Sequence, residues 1–415
     1  MRLLLAAAVT GATVLVAPAG AAAPDPGGDA VRAWTDVALD TVRAVNASDA
    51  QAARLYAMVE VAMYDAVNGL PTTVDRHAPA FVAPVPGAAG DPVAAAAGAA
   101  HDVLAALYPA RASAYDARLA TDLASVTAPG QATLGRDWGG RVAARVLDAR
   151  SSDGSAPAES QAPGSGPGEF RASWSGVQFR RLAPFAIADP GTYVSAGPPA
   201  MTSDAYAAAF AEVKEVGNAA VPDAARLATY RFWALGSNSV QPPGAWLRVA
   251  EGLSRGLGIA GTARLLAVEA MAMADTVAPT YATKYLYRSW RPTTAIREAD
   301  TDGNAATAAD PSWSPRGGTQ GSSPEHWSGH SSFSAAAATA LAGLLCTDGV
   351  TFALDTGAGE TRTYASLAAA AAEAGRSRVY GGLHFEFSNQ AGLAAGRAIA
   401  AEVLAKPVGH PDCHQ

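Results

Sequence analysis

The chain has 415 residues, of which 49% are hydrophobic, 16% charged and 7% aromatic, with a formal net charge of −7. That length can bury a large core, as one big domain or two merged ones, and the excess of alanine favours closely packed helices. The acidic balance excludes general nucleic-acid binding, since the basic residues that matter gather in three short motifs, and it leaves small molecules as the expected partners.

Arg2, an apolar run over Leu3–Ala17 and Ala21-Ala22-Ala23 before Pro24 have the layout of a secretory signal peptide, with cleavage expected after Ala23. The run is too short for a comfortable membrane span and no later run fills that role, so the mature protein is expected to be exported and to have no membrane span. The only two cysteines, Cys346 and Cys413, could pair in such a setting, pinning the C-terminal tail to a helix end, or could remain two thiols.

A helical pattern runs from about Asp29 to Leu70, with Leu55, Val59, Ala62, Met63 and Ala66 on one face. Tyr64, Asp65 and Asn68 interrupt it as structural hydrogen-bonding groups. After a Pro/Gly-rich loop over Thr72–Asp91, helices are expected at Pro92–Tyr108, Ala110–Val126 and Ala132–Arg150. Residues 151–168 are a Ser/Gly/Pro/Ala tract, a linker or long surface loop. Trp174–Pro199 has no helical period and is expected to wrap the surface or roof a pocket. Helices resume at Ser203–Val216, Asp223–Leu235, Trp246–Leu257 and Ile259–Tyr287, and no strand is convincing. Asp300, Asp302 and Asn304 begin like a calcium loop but lack the closing glutamate, so a solvated turn is the better reading. The expected organisation is a leader 1–23, a helical region 24–150, a linker or loop 151–175, a second helical region 176–405 with the reactive site, and a tail 406–415.

Three basic clusters stand out between residues 284 and 384. Lys284 and Arg291, seven residues apart, would leave one face of a helix at about 100° per residue, with Pro292 ending that helix just after Arg291. Ser328-Gly329-His330 precedes an Ala-rich run, with the serine placed as N-cap, the glycine admitting close approach, and free N–H groups aimed at an anion. Ser377-Arg378 and His384 are divided by Gly381-Gly382, which should break the helix and let the arginine and the histidine approach one centre. Two arginines, a lysine, a hydroxyl, a backbone N–H and two imidazoles form a cage for a tetrahedral oxyanion. Trp290 and Trp327 are expected as pocket walls, His326 as a structural residue, and His77, His101, His410 and His414 as surface or tail residues.

Lys-x6-Arg-Pro, Ser-Gly-His and Ser-Arg-x5-His, with the stretch ARLYAMVEVAMYDAVNG near the N terminus, resemble the vanadium-dependent haloperoxidases and the related type 2 phosphatidic acid phosphatase superfamily. The resemblance implies an all-α fold of helical bundles. It also implies that Lys284, Arg291, Ser328, Gly329 and Arg378 bind the oxyanion, that His384 is the vanadate ligand or the phosphatase nucleophile, and that His330 is the acid/base group. Two departures stand out: Trp327 where the family often has proline, and Ser388 where many members have an aspartate that steadies the last histidine. A neutral partner would raise the basicity of His384 less. The leading expectation is a haloperoxidase with vanadate as cofactor, acting on hydrogen peroxide, a halide and an organic acceptor. The alternatives are an exported acid phosphatase, which needs no cofactor and acts on a phosphoester, and a non-catalytic oxyanion-binding protein.

Overall fold

Ser48 divides the expected first helix in two. Its hydroxyl accepts from Gln51 N at 3.3 Å while the Gln51 side chain accepts from Ser48 N at 2.9 Å, a reciprocal cap that starts a new helix. In the computed structural model, which describes residues 26–73, 79–80, 82, 88–410 and 413, the result is α1 (Pro26–Val45) and α2 (Asp49–Asn68). The leader lies outside the described residues. The polar groups of α2 serve structure: Asp65 accepts from Ala80 N and Val82 N, and Asn68 donates to Tyr64. Helices α3 (Pro92–Leu107), α4 (Ala112–Ser125) and α5 (Pro129–Ala149) follow close to their expected bounds.

The 151–175 segment is a surface strap fastened by a two-residue antiparallel pair, β1 (Ser160–Gln161) with β2 (Trp174–Ser175). Its continuation runs to residue 199 and is tied to the helices. Asp275 accepts from the N–H groups of Phe185, Ala186 and Ile187 at 2.5–2.9 Å.

Beyond the strap lie α6 (Asp204–Val216), α7 (Ala224–Phe232), α8 (Gln241–Leu253), α9 (Gly258–Asp275), α10 (Val277–Tyr287), α11 (Pro292–Arg297), α12 (Gly329–Leu344), α13 (Leu367–Tyr380) and α14 (Glu386–Leu404). The architecture is all-α, as expected. The sequence reading missed one hairpin, β3 (Phe352–Asp355) with β4 (Thr361–Tyr364), although Phe352 and Leu354 alternate inward on a period of two. Among the described residues no single helix is long and apolar enough to cross a membrane.

Two helix groups share α9. On one side α2 packs on α3 and α9, and α3 on α5; on the other α12 packs on α14, α13, α8 and α9. The seam between α12 and α14 is unusually close: a Cβ at Gly396 would sit 2.2 Å from the Ser332 carbonyl oxygen, so only glycine fits there. This draws the helix after His384 against the first turns of α12. A Cys346–Cys413 disulfide pins the tail to the end of α12, which settles the open question about the two cysteines.

Candidate oxyanion site

Lys284 and Arg291 were expected on one helix face, but α10 stops first. Arg288 takes a left-handed conformation (φ 49°), and Arg291 becomes the extended residue (φ −84°, ψ 159°) that introduces α11 at Pro292. Proline disfavours helical dihedrals in the residue before it, so the extended turn is what aims Arg291 inward. Both side chains are 4% exposed.

The Lys284 ammonium donates to the carbonyls of Pro324 and Glu325. Arg291 donates from Nε to Ser323 O (2.8 Å) and from Nη1 to Leu383 O (2.8 Å), and its Nη1 lies 2.9 Å from His384 Nε2.

Ser328 caps α12, accepting from Ser331 N at 3.3 Å and from the Ser331 hydroxyl at 2.8 Å. Gly329 is then the first helical residue, and its N–H is one of those that have no acceptor within the helix. His330 is half-buried, and its Nε2 donates to Ala234 O at 3.1 Å, which leaves Nδ1 with the lone pair in the neutral ring. Arg378, near the end of α13, is 5% exposed with its guanidinium 5.4 Å over the Tyr230 ring. Its Nε and Nη1 are buried without a hydrogen-bond partner among the described residues. Gly382 (φ 76°) makes the turn after α13, as the glycine pair implies, and His384 returns toward Arg291.

The electrostatics tie the clusters together. Burial, then the charges of Arg291, Lys284 and Arg378, pushes His384 well below the usual imidazole range. Burial, then Arg378, does the same to His330. Lys284 is pushed well down by burial and Arg291, and burial lowers Arg291 to about 10. These groups oppose one another's charge because they face one space. An anion placed among them would favour every charged form.

Two carboxylates at this site escaped the sequence reading. Glu325 is fully buried and its Oε1 accepts from His384 Nδ1 and from Phe385 N, each at 3.0 Å. Ser388, expected beside His384, instead donates to Glu325 Oε2 at 2.7 Å, so the imidazole partner is a carboxylate after all, supplied from the loop before Ser-Gly-His. Asp49, at the start of α2, accepts from Tyr281 OH at 2.8 Å, and its second oxygen is 3.6 Å from where a Cβ on Gly329 would lie. The N-terminal helices thus reach the cage.

Other expectations shift. Trp290 and Trp327 are core residues rather than walls, their indole N–H groups donating to Tyr206 OH and Thr280 Oγ1. His101 is buried, with its ring nitrogens 2.7 and 2.8 Å from Asp102 and Asp116, because charged partners satisfy both ends of the ring. His410 is exposed, while His77 and His414 lie outside the described residues. Asp302 accepts from Asn304 N and Thr307 Oγ1 in a self-satisfied turn, and no metal-type cluster occurs among the described residues. An apolar cavity of about 550 Å³ between α12, α13 and α14, lined by Ala338, Ala371 and Leu393, contains none of the cage side chains. Charge, not volume, marks the candidate site.

Residues 264–410 match the family described as the second helical-bundle domain of VCPO. A comparison with curated protein sequences finds no match. Among solved structures, a bacterial vanadium-dependent iodoperoxidase is similar with a TM-score of 0.76 at 22% identity, covering 91% of this chain and 96% of that one. A bacterial vanadium-dependent chloroperoxidase is similar in its holo form (TM-score 0.64, 15% identity, 89% and 97% covered) and in its apo form (0.63, 16%, 86% and 93%).

Proposed function

We propose, for a chain that by fold and by its matched second bundle belongs to the vanadium haloperoxidase and type 2 phosphatidic acid phosphatase superfamily, that it is a vanadate-dependent haloperoxidase. The observation that carries the reading is the buried group of three cations, in which two Arg378 donors have no hydrogen-bond partner among the described residues and Arg291 lies against the Nε2 of His384. A guanidinium does not shed its charge at any working pH, so burying one with unpaired donors favours a resident anion. Likeness to haloperoxidases over nearly the whole chain supports the choice of anion.

Lys284, Arg291 and Arg378 would hold the anionic oxygens, with the Ser328 hydroxyl and the Gly329 N–H beside them. His384 would offer Nε2 to the vanadium. His330 would move a proton at Nδ1, the atom its bond to Ala234 leaves free. Vanadate bound there supplies a Lewis acid that activates hydrogen peroxide toward a halide, so no side chain needs to change oxidation state. Export is part of the proposal: the Cys346–Cys413 bridge suits an oxidising compartment.

Glu325 keeps the phosphatase as a second reading, since a carboxylate behind His384 is what a histidine nucleophile needs. The test is purified full-length chain assayed for halogenation of a phenolic dye with peroxide and iodide or bromide, with and without vanadate, and in parallel for phosphoester hydrolysis. Vanadate-dependent halogenation is the expected result. Hydrolysis inhibited by vanadate would select the second reading, and silence in both would reject enzymatic function. His384→Ala should abolish whichever activity is found.

A further inference from the structure

A chain of buried hydrogen bonds runs from the surface strap to His384, and its direction is fixed by one acceptor-only group. Burial raises Glu325 to about 7, and above that pH its carboxylate can only accept. His384 therefore carries its proton on Nδ1, donating to Glu325 Oε1, and Nε2 is the lone-pair nitrogen facing Arg291 Nη1, which can only donate. On the other oxygen, Ser388 must donate to Oε2. Its single proton is then spent, so His326, 2.9 Å away, must donate from Nδ1 to Ser388 Oγ. His326 Nε2 is left to accept from Ser195 Oγ at 2.9 Å, on the strap, where Ser195 Oγ in turn accepts from Gly197 N. With Glu325 ionised, every proton in the chain has one place.

We propose that Glu325 is the positioning residue that sets the tautomer and ring plane of His384, and that through Ser388 and His326 it couples that ring to the strap at Ser195. The inference deepens the proposed function and rests on it for the role of His384 Nε2 as the nitrogen offered to the oxyanion. In this chain the orienting carboxylate comes from the loop ahead of α12 rather than from α14, so loop, strap and imidazole are one unit.

Glu325→Gln is the sharpest test, read in the protein without any oxyanion and on the alkaline side of the value of about 7 to which burial raises Glu325. The carboxamide keeps the shape but presents one acceptor and one donor where the chain needs two acceptors. At least one ring must therefore change tautomer, which nitrogen-15 NMR of histidine-labelled protein reads directly. The expected wild-type spectrum has both His384 and His326 protonated on Nδ1. In Glu325→Gln one of them moves to Nε2. Wild-type rings on other tautomers, or two unchanged rings in the variant, would overturn the proposal. Ser388→Ala cuts the chain on the far side of Glu325, so His384 should keep Nδ1–H while His326 loses its fixed tautomer; loss of the His384 tautomer there would also overturn it.

Calorimetric titration with inorganic phosphate, and separately with vanadate, adds a binding readout. Glu325→Ala should weaken affinity about ten- to hundred-fold, with Glu325→Asp recovering part of it. Unchanged affinity in the alanine variant counts against the positioning role. Wild-type protein that binds neither anion while showing the expected tautomers would instead sink the oxyanion reading and leave the assignment of protons intact.

Discussion

Two regions of the molecule, the packing around α9 and the oxyanion site, each bury charge-bearing atoms without hydrogen-bond partners, and they do so with opposite chemistry. Around the shared helix α9, Glu60 on α2, Glu251 on α8 and Glu269 on α9 itself leave Glu60 Oε2, Glu251 Oε1 and both Glu269 oxygens unbonded. Burial lifts Glu60 and Glu251 to about 8, and burial, then Glu60 and Glu251, lifts Glu269 well above the carboxylate range. In the oxyanion site Lys284, Arg291 and Arg378 press on one another's charge, and Arg378 has two orphaned donors. The acids escape their predicament by keeping a proton. The guanidiniums have no such exit, and unpaired buried donors of this kind favour an anion from outside. Buried acidic residues can thus be silent where buried arginines point to a ligand.

The largest expected effect tests the second half of that contrast. Arg378→Met removes the charge while keeping a long apolar side chain against Tyr230. Affinity for phosphate or vanadate should fall roughly a hundred- to thousand-fold, about 3–4 kcal/mol. In the absence of anion the same variant should be at least as stable as the wild type, because an uncompensated charge has been taken out of the interior. A variant that unfolds at lower temperature without anion would show that Arg378 has a stabilising role in the empty protein. Anion binding then gives a second, smaller effect: phosphate at about a hundred times its wild-type dissociation constant should stabilise the wild type by about 2.7 kcal/mol and Arg378→Met by no more than about 0.4 kcal/mol. Thermal melts across a phosphate series read both.

Much of this was open to sequence reasoning, because the three motifs carry residue types that no Ala-rich core needs. Helix bounds were readable wherever caps and glycines punctuated the chain. Ser48 also carried a cap signal, Ser-x-x-Gln, and was passed over inside a longer helical period. Arg291 was misplaced because a seven-residue spacing looks like two helical turns, while the left-handed Arg288 that breaks the helix has no sequence mark. Glu325 was invisible for a different reason: a lone acid in a Pro/Ser-rich loop reads as solvated, and only tertiary packing brings it under His384. Glu269 was findable. It is the one charge in the apolar run AVEAMAM, where an unpaired acid must either find a partner or stay protonated.

That last acid gives the smallest and most specific prediction, directed at the first half of the contrast. In the unfolded chain a glutamate releases its proton near 4.5, whereas folded Glu60 and Glu251 hold theirs to about 8 and Glu269 beyond the carboxylate range. The unfolded state therefore binds fewer protons between those values, and stability falls as pH rises. The contribution is fully present below about 4.5 and is lost as pH climbs through about 8, with an upper bound of about 5 kcal/mol for Glu60 or Glu251 taken singly. Glu269→Gln replaces a carboxyl that must stay neutral with a group that is always neutral and nearly the same shape. Denaturant unfolding at a series of pH values should show the variant losing less stability than the wild type between pH 5 and 8 on the order of one to a few kcal/mol. Parallel curves for the two proteins would mean that Glu269 is ionised in the fold and has a counter-charge, and the two halves would then handle buried charge in the same way.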